Sequence, residues 1–300
     1  MPLKLPVDEN TLCLFAAFLS ESCASSTLQV AISAIRSKHI DLGLRCNTAD
    51  MLTLKRVIEG VNRSRASVPK LTRRPITTST LTNLASVLRP QQWEDRVFFA
   101  VACIATYGLL RMAEIFHSEP YDHPGLLVSD LAIVSHSHFK LSLRRSKTDQ
   151  CGHGMVVDFF ANNSPSCPCR AFLVGYWPHI KFKLQPTSPL FCLDSGAPYT
   201  RQAFVSKLRE VVQLLGWKPE EFSGHSFRRG GATSLAESGV ADSTIKTMGR
   251  WKSVAYQVYI DTSEDSKRQA SVAMANAGIP NSNTINNNTK GFWGQPRHRH

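Results

Sequence analysis

Apolar residues recur at helical spacing three times in the first sixty positions. Leu12, Phe15, Ala16 and Leu19 form one set, Leu28, Ala31, Ile32 and Ile35 a second, and Met51, Leu54, Val57, Ile58 and Val61 a third. Helices this short bury a core only by packing on one another, so the pattern predicts a small all-helical unit over 9–62, with Gly43 and Gly60 at helix ends. The periodicity then stops. Between 63 and 76, Arg63, Arg65, Lys70, Arg73 and Arg74 stand among Ser, Val and two prolines, which predicts a basic, extended linker. From Thr77 the apolar pattern resumes: a helix through Leu81, Leu84 and Leu88 stops at Pro90, and a second runs from Trp93 to Tyr107. Three strand-like stretches follow, Leu126–Val134, Phe139–Arg144 and Met155–Phe160, the last two joined by a polar turn that predicts a hairpin. Helices are predicted over Tyr199–Leu215 and Phe227–Ser238, then a short one opened by Asp242 and another opened by Ser253. The Asn- and Thr-rich stretch 279–300 reads as a disordered tail. The expected organisation is therefore 1–62 helical, 63–76 linker, 77–278 mixed α+β but mainly α, and 279–300 tail.

Composition changes this picture little. Of 300 residues, 42% are hydrophobic, and no apolar run approaches the roughly 20 residues that span a bilayer. Asp8, Glu9 and Asn10 interrupt the N-terminus where a signal peptide would be apolar, which points to an intracellular protein without a membrane partner. Charge adds a direction, because a net +12 favours polyanions through counterion release. The eight cysteines are expected to be reduced. Cys151, His153, Cys167 and Cys169 come nearest to a zinc cluster, but their spacing departs from the usual Cys-x2-4-Cys pattern, and no metal is expected.

Four segments could carry chemistry. They are Tyr107–Glu114, which holds Arg111; the hairpin turn with Lys147; Gly224-His225-Ser226-Phe227-Arg228; and Met248–Ile260, which holds Arg250, Trp251, Tyr256 and Tyr259. Attack on a phosphodiester builds negative charge on the non-bridging oxygens, which two forked guanidinium groups can neutralise. A phenol nucleophile must lose its proton, and the leaving 5′-oxygen must gain one from a nearby lysine or histidine. Arg111, Lys147, His225, Arg228 and Tyr259 supply these groups without a carboxylate cluster of the kind that holds two magnesium ions. Tyr256 and Tyr259 lie three residues apart on one helical face, so either phenol could approach the site.

In this order the segments resemble the signature of the tyrosine recombinase, or phage integrase, family. Arg111 matches its first arginine, Lys147 its lysine between the second and third strands, and His225 and Arg228 its His-x-x-Arg box; Tyr259 stands ten residues after Gly249, as the family's nucleophile does. The resemblance covers about Leu28 to Tyr259. It is greatest in look to eukaryotic Crypton- and DIRS-type mobile-element recombinases, on Ala34-Ile35-Arg36, Arg74-Pro75-Ile76-Thr77, Ser146–Gln150, Cys167-Pro168 and Gly249–Ser253. Where bacterial members carry His after the glycine, this chain has Arg250, a phosphate or structural contact, and Trp251 then becomes the leaving-group-side contact.

The resemblance implies a SAM-like helical core-binding domain, and a catalytic domain with a small three-stranded antiparallel sheet. It further implies a 3′-phosphotyrosine intermediate, no metal, ATP or small-molecule cofactor, double-stranded DNA as partner, a homotetramer on two DNA sites, and nuclear location. DNA contacts are expected from Arg63, Arg65, Lys70, Arg73, Arg74 and Arg250, and a helix over 264–277 either docks on a neighbour or folds back. A type IB topoisomerase would use similar chemistry, and a domesticated descendant would bind DNA without cleaving it.

Overall fold

The structure is a computed structural model that describes residues 5–66, 73–117, 125–144, 154–260, 267–269, 271, 272 and 274. Lys70, Tyr121, Lys147, Cys151, His153 and the stretch 279–300 lie outside the described residues. The chain divides into two compact units, Met1–Leu71 and Thr72–His300.

The first unit holds α1 (Glu9–Ser22), α2 (Ser25–Asp41) and α3 (Leu52–Ala66). Their apolar stripes meet in a core of Leu12, Ala16, Leu28, Ile32, Cys46 and Leu54, flanked by Phe15, Leu19, Ile35 and Val57. Two carboxylates start helices here. Asp8 accepts the Thr11 amide at 2.7 Å as the N-cap of α1, and Glu9 of α1 reaches across to the Thr53 and Leu54 amides at 2.6 and 3.0 Å. Helix α3 continues through Gly60 to Ala66, so Arg63 and Arg65 are helical and the predicted linker is shorter at its N-terminal side. At the other side Arg73 and Arg74 already belong to the second unit: Arg73 donates to the Glu220 and Phe222 carbonyls, and Arg74 pairs with Glu221 at 3.4 Å.

The second unit is built on α5 (Trp93–Tyr107), whose residues from Val97 to Ala105 are all buried except Phe99, as expected of a helix apolar on every side. Around it pack α4 (Thr78–Val87), α8 (Arg201–Leu214), α9 (Gly224–Glu237) and a sheet of β1 (Leu131–Ser135), β2 (His138–Leu143) and β3 (Met155–Phe160). The sheet is antiparallel in the order β1-β2-β3, with Phe139 opposite Phe159 and their rings stacked at 4.8 Å on the core face. Strand β1 is shorter than its apolar run, because Val128–Asp130 form a 3₁₀ turn in which buried Asp130 accepts the Leu127 amide. Short helical turns over Arg170–Ile180, absent from the sequence reading, bring Phe172 and Tyr176 into the same core.

Helix α9 starts at Gly224, three residues before the expected Phe227, which places His225 in its first turn. Its buried glycines permit close packing. A Cβ on Gly230 would lie 1.8 Å from the Ile76 carbonyl oxygen, and one on Gly231 would lie 2.3 Å from that of Thr106. The backbone of the 73–77 segment docks directly on α9, with the Ile76 amide donating to the Ser226 carbonyl at 2.8 Å.

Cys167 and Cys169 are core thiols: Cys169 faces the Ser137 and Phe159 carbonyls, and Cys167 accepts the Asn162 amide. Among the described residues no group of His, Cys, Asp or Glu could hold a metal ion, and no helix is long and apolar enough to cross a membrane.

Candidate active site

Three backbone segments converge: the turn after α5, the first turn of α9, and the stretch from Met248 to Tyr259. In the first, Leu109 adopts φ +48°, a left-handed conformation rare for a branched side chain. Its carbonyl oxygen accepts from both Arg228 and Arg250, the latter at 2.8 Å. Arg111 follows as the N-cap of α6 (Met112–Ile115), with Glu114 beneath it. The Glu114 carboxylate accepts the Arg111 amide and its guanidinium, both at 2.8 Å. Glu114 is itself buried, a carboxylate that serves this cation.

From α9 come His225 and Arg228. Arg228 is fully buried and donates to the Leu109 and Gly249 carbonyls, while its Nε has no partner among the described residues. Burial, then the nearby Arg111 and Arg250 charges, push its pKa down from 12.5 to about 9. It still carries its proton at neutral pH. His225 lies at the exposed edge, its ring 4.8 Å from that of Tyr259. Partial burial, and then Arg228, Arg111 and Arg229, hold its pKa below the ordinary 6.5, so the imidazole is neutral at pH 7 and able to accept a proton.

The third segment depends on Gly249. A Cβ there would fall 1.5 Å from the Trp251 ring, so only glycine lets that ring fold back over the site. Trp251 is buried beneath Arg228, with 4.3 Å between guanidinium and ring centroid, and its Nε1–H has no partner among the described residues. Val254–Tyr259 is a 3₁₀ helix, whose three-residue turn puts Tyr256 and Tyr259 on one face. The two phenols differ in their partners. Tyr256 is buried and donates to Asp242 at 2.7 Å. Tyr259 is half-buried, packed between His225 and Trp251 with Arg228 5.7 Å from its ring, and its hydroxyl is engaged by no described residue.

Arg111, His225, Arg228, Trp251 and Tyr259 are thus gathered in one place, while Lys147 is outside the described residues. Of the two readings of Arg250, phosphate contact and structural contact, the geometry fits the second. Its side chain is 3% exposed and each terminal nitrogen donates twice, to carbonyls and Glu114, whereas each terminal nitrogen of Arg228 donates to a single carbonyl. Sequence reasoning did not find this inward turn. Its sign is the left-handed φ of +59° at Arg250, which no spacing rule reveals. Of the other expected DNA contacts, Arg63 is exposed on α3, and Arg73 and Arg74 are exposed but tied to the 219–222 turn.

The sequence pattern of the phage integrase family matches residues 180–265. The chain is 24% identical over 258 residues to an integrase/recombinase XerD homolog of Selenomonas ruminantium, covering 83% of this chain and 72% of that one. Among solved structures, the XerH site-specific recombinase in its post-cleavage complex with a palindromic difH substrate superposes with TM-score 0.63 at 14% identity, over 90% of this chain and 70% of that one. The Tn1549 transposon integrase bound to transposon right-end DNA gives 0.57 at 16% identity, over 90% and 86%. The chain has the fold of the tyrosine recombinases, and the segment that holds His225, Arg228, Trp251 and Tyr259 carries the sequence pattern of the phage integrase family.

Proposed function

We propose that this protein is a site-specific DNA recombinase that cuts and rejoins strands through a 3′-phosphotyrosine intermediate. The observation that carries this reading is the pair of phenols: Tyr256 is committed to Asp242, whereas Tyr259 stands beside His225 and the buried Arg228. The Tyr259 oxygen attacks the scissile phosphorus, its proton passing to His225, and the bond to the 5′-oxygen breaks. Arg111 and Arg228 neutralise the charge that develops on the non-bridging oxygens. Their guanidinium groups are prepaid in geometry, each held by protein acceptors before DNA arrives. Lys147 protonates the leaving 5′-oxygen, a role that rests on the sequence resemblance. The freed 5′-hydroxyl of a partner strand then attacks the phosphotyrosine and releases Tyr259, so the phosphodiester energy is conserved.

The net charge of +12 and the DNA complexes of the structural relatives support duplex DNA as the partner. A homotetramer on two DNA sites, a mobile-element origin of the Crypton or DIRS kind, and nuclear location are further parts of this proposal, and they rest on the resemblance of the motifs. The test is covalent trapping on a pool of random nicked duplexes with EDTA present, comparing wild type, Tyr259→Phe and Tyr256→Phe. An adduct lost only in Tyr259→Phe supports the reading. Adduct lost in Tyr256→Phe but kept in Tyr259→Phe moves the nucleophile. No adduct from any of the three proteins, with DNA bound, makes the chain a binding protein. Relaxation of supercoiled plasmid without strand exchange would assign it to topoisomerase chemistry.

A further inference from the structure

Arg250 occupies the position where bacterial relatives of the motif place a histidine, yet none of its terminal nitrogens faces outward. One donates to the Gly108 and Met248 carbonyls at 3.0 and 3.2 Å; the other donates to the Leu109 carbonyl at 2.8 Å and to Glu114 at 2.9 Å. Three of these four acceptors lie on the turn that carries Arg111. The Leu109 carbonyl is also held by Arg228, and the Glu114 carboxylate by Arg111. One buried hub therefore ties together the first arginine, the second arginine and the segment leading to Tyr259.

We infer that Arg250 is a positioning residue, which holds Arg111 and Arg228 in place through Glu114 and the Leu109 carbonyl and makes no contact with DNA. This rests on the reading of the site as a strand transferase. Two features of the hub explain why the residue is an arginine. Only a planar fork can satisfy carbonyls on two sides and a carboxylate together, and an ammonium at the same place would leave some of them unpaired. Arg250 also occupies the Glu114 oxygen that accepts the Arg111 amide, leaving only the other oxygen on the Arg111 guanidinium. Without Arg250 the carboxylate is free to take both ends of the Arg111 fork, and Arg111 is drawn from the phosphate towards the protein.

The experiment measures single-turnover adduct formation at saturating nicked duplex, together with the salt dependence of duplex binding. Wild type, Arg250→Gln, Arg250→Lys, Glu114→Gln and the Arg250→Gln/Glu114→Gln double variant are compared, each checked for native circular dichroism. Arg250→Gln is expected to slow adduct formation about 100-fold, the scale of a 1 Å misplacement. Its salt slope is expected to stay at the wild-type value, because no phosphate contact is lost. Arg250→Lys should recover part of the rate, and the double variant should be no slower than Arg250→Gln alone, since both changes act through one hub. A slope shallower by about 0.9 with the rate restored at saturating DNA would make Arg250 a phosphate contact and overturn the inference. So would a wild-type rate in Arg250→Gln, or losses that multiply in the double variant. If Arg250→Gln does not fold, Arg250→Lys decides by the same criteria. If wild type itself forms no adduct, the strand-transfer reading fails separately. The slope still judges Arg250 in that case: an unchanged slope supports its inward role, and a shallower one overturns it.

Discussion

Two glycine-to-alanine changes, chemically identical, should move stability in opposite directions. In α3, Gly60 has nothing within 4 Å of where a Cβ would stand, so alanine gains its helical propensity of about 0.8–1 kcal/mol at no steric cost. In α9, a Cβ on Gly230 meets the Ile76 carbonyl oxygen at 1.8 Å, its carbon at 2.0 Å and the Thr77 nitrogen at 2.6 Å, all backbone atoms. To reach van der Waals contact the helix and the 73–77 segment must part by about 1.5 Å, which strains the core and threatens the Ile76–Ser226 hydrogen bond. Overpacking of this severity costs about 3 kcal/mol and the bond about 1, against a helical gain of about 1, so Gly230→Ala should lose about 3 kcal/mol. The two effects can be separated spectroscopically, because all five tryptophans lie after residue 72, in the second unit. Tryptophan fluorescence in a urea titration should show the Gly230→Ala midpoint falling by about 1 M or more, taking about 2–3 kcal/mol per M as the slope. Gly60→Ala should leave that fluorescence midpoint unchanged and raise stability only in far-ultraviolet circular dichroism. A fluorescence midpoint unmoved by Gly230→Ala would refute the claim that α9 is held by backbone contact at that glycine.

Other expectations follow from buried polar groups. Lys207 is sealed against Asp95 at 2.7 Å, with side chains 7% and 5% exposed, so Lys207→Met should cost about 3–5 kcal/mol by leaving the buried carboxylate with the Arg89 amide but no cation. The Lys207→Met/Asp95→Leu pair should recover most of that in the same titration. Tyr256→Phe removes the bond to Asp242 and should lower thermal stability by about 1–2 kcal/mol while leaving covalent trapping intact. The His225 pKa is lowered on folding, so the unfolded chain binds more protons as pH falls below about 6.5, and stability declines from there through the folded pKa. His225→Gln should therefore show a smaller drop in urea midpoint between about pH 7.5 and pH 5 than wild type. An equal drop in both proteins would locate the acid sensitivity elsewhere.

Much of this protein was legible in its chain because local rules govern it. The three N-terminal helices followed from apolar spacing, since a stripe at 3.6-residue period has nowhere to go but a helical core. The hairpin strands followed from the runs Phe139–Arg144 and Met155–Phe160, which pair in register as β2 and β3. Motif order singled out Arg111, His225, Arg228, Trp251 and Tyr259, which the fold gathers, and the distance from Gly249 favours Tyr259 over Tyr256. Where local rules gave out, the boundaries shifted. The basic stretch after Val61 lacks an apolar period, yet α3 runs on to Ala66, because charged residues are good helix formers once a helix is nucleated. The turns over Arg170–Ile180 hold aromatic residues without helical or strand period, and their conformation is set by the Phe139 and Phe191 rings they pack against.

The sequence by itself determined which groups are available: three arginines, a lysine, a histidine, a tryptophan and two phenols in a fixed order along the chain. Only the tertiary structure decided which of them meet and which are consumed. Tyr256 and Tyr259 share one helical face, and they became chemically different when Asp242, fourteen residues before Tyr256, took its hydroxyl. Arg250 reads as either a phosphate or a structural contact, and it became a strut when carbonyls at Gly108 and Leu109, more than 140 positions away, turned towards it. The physical reason is the same in both cases. A polar side chain takes its role from the partners that compensate its burial, and those partners are brought to it by packing between segments distant in the chain.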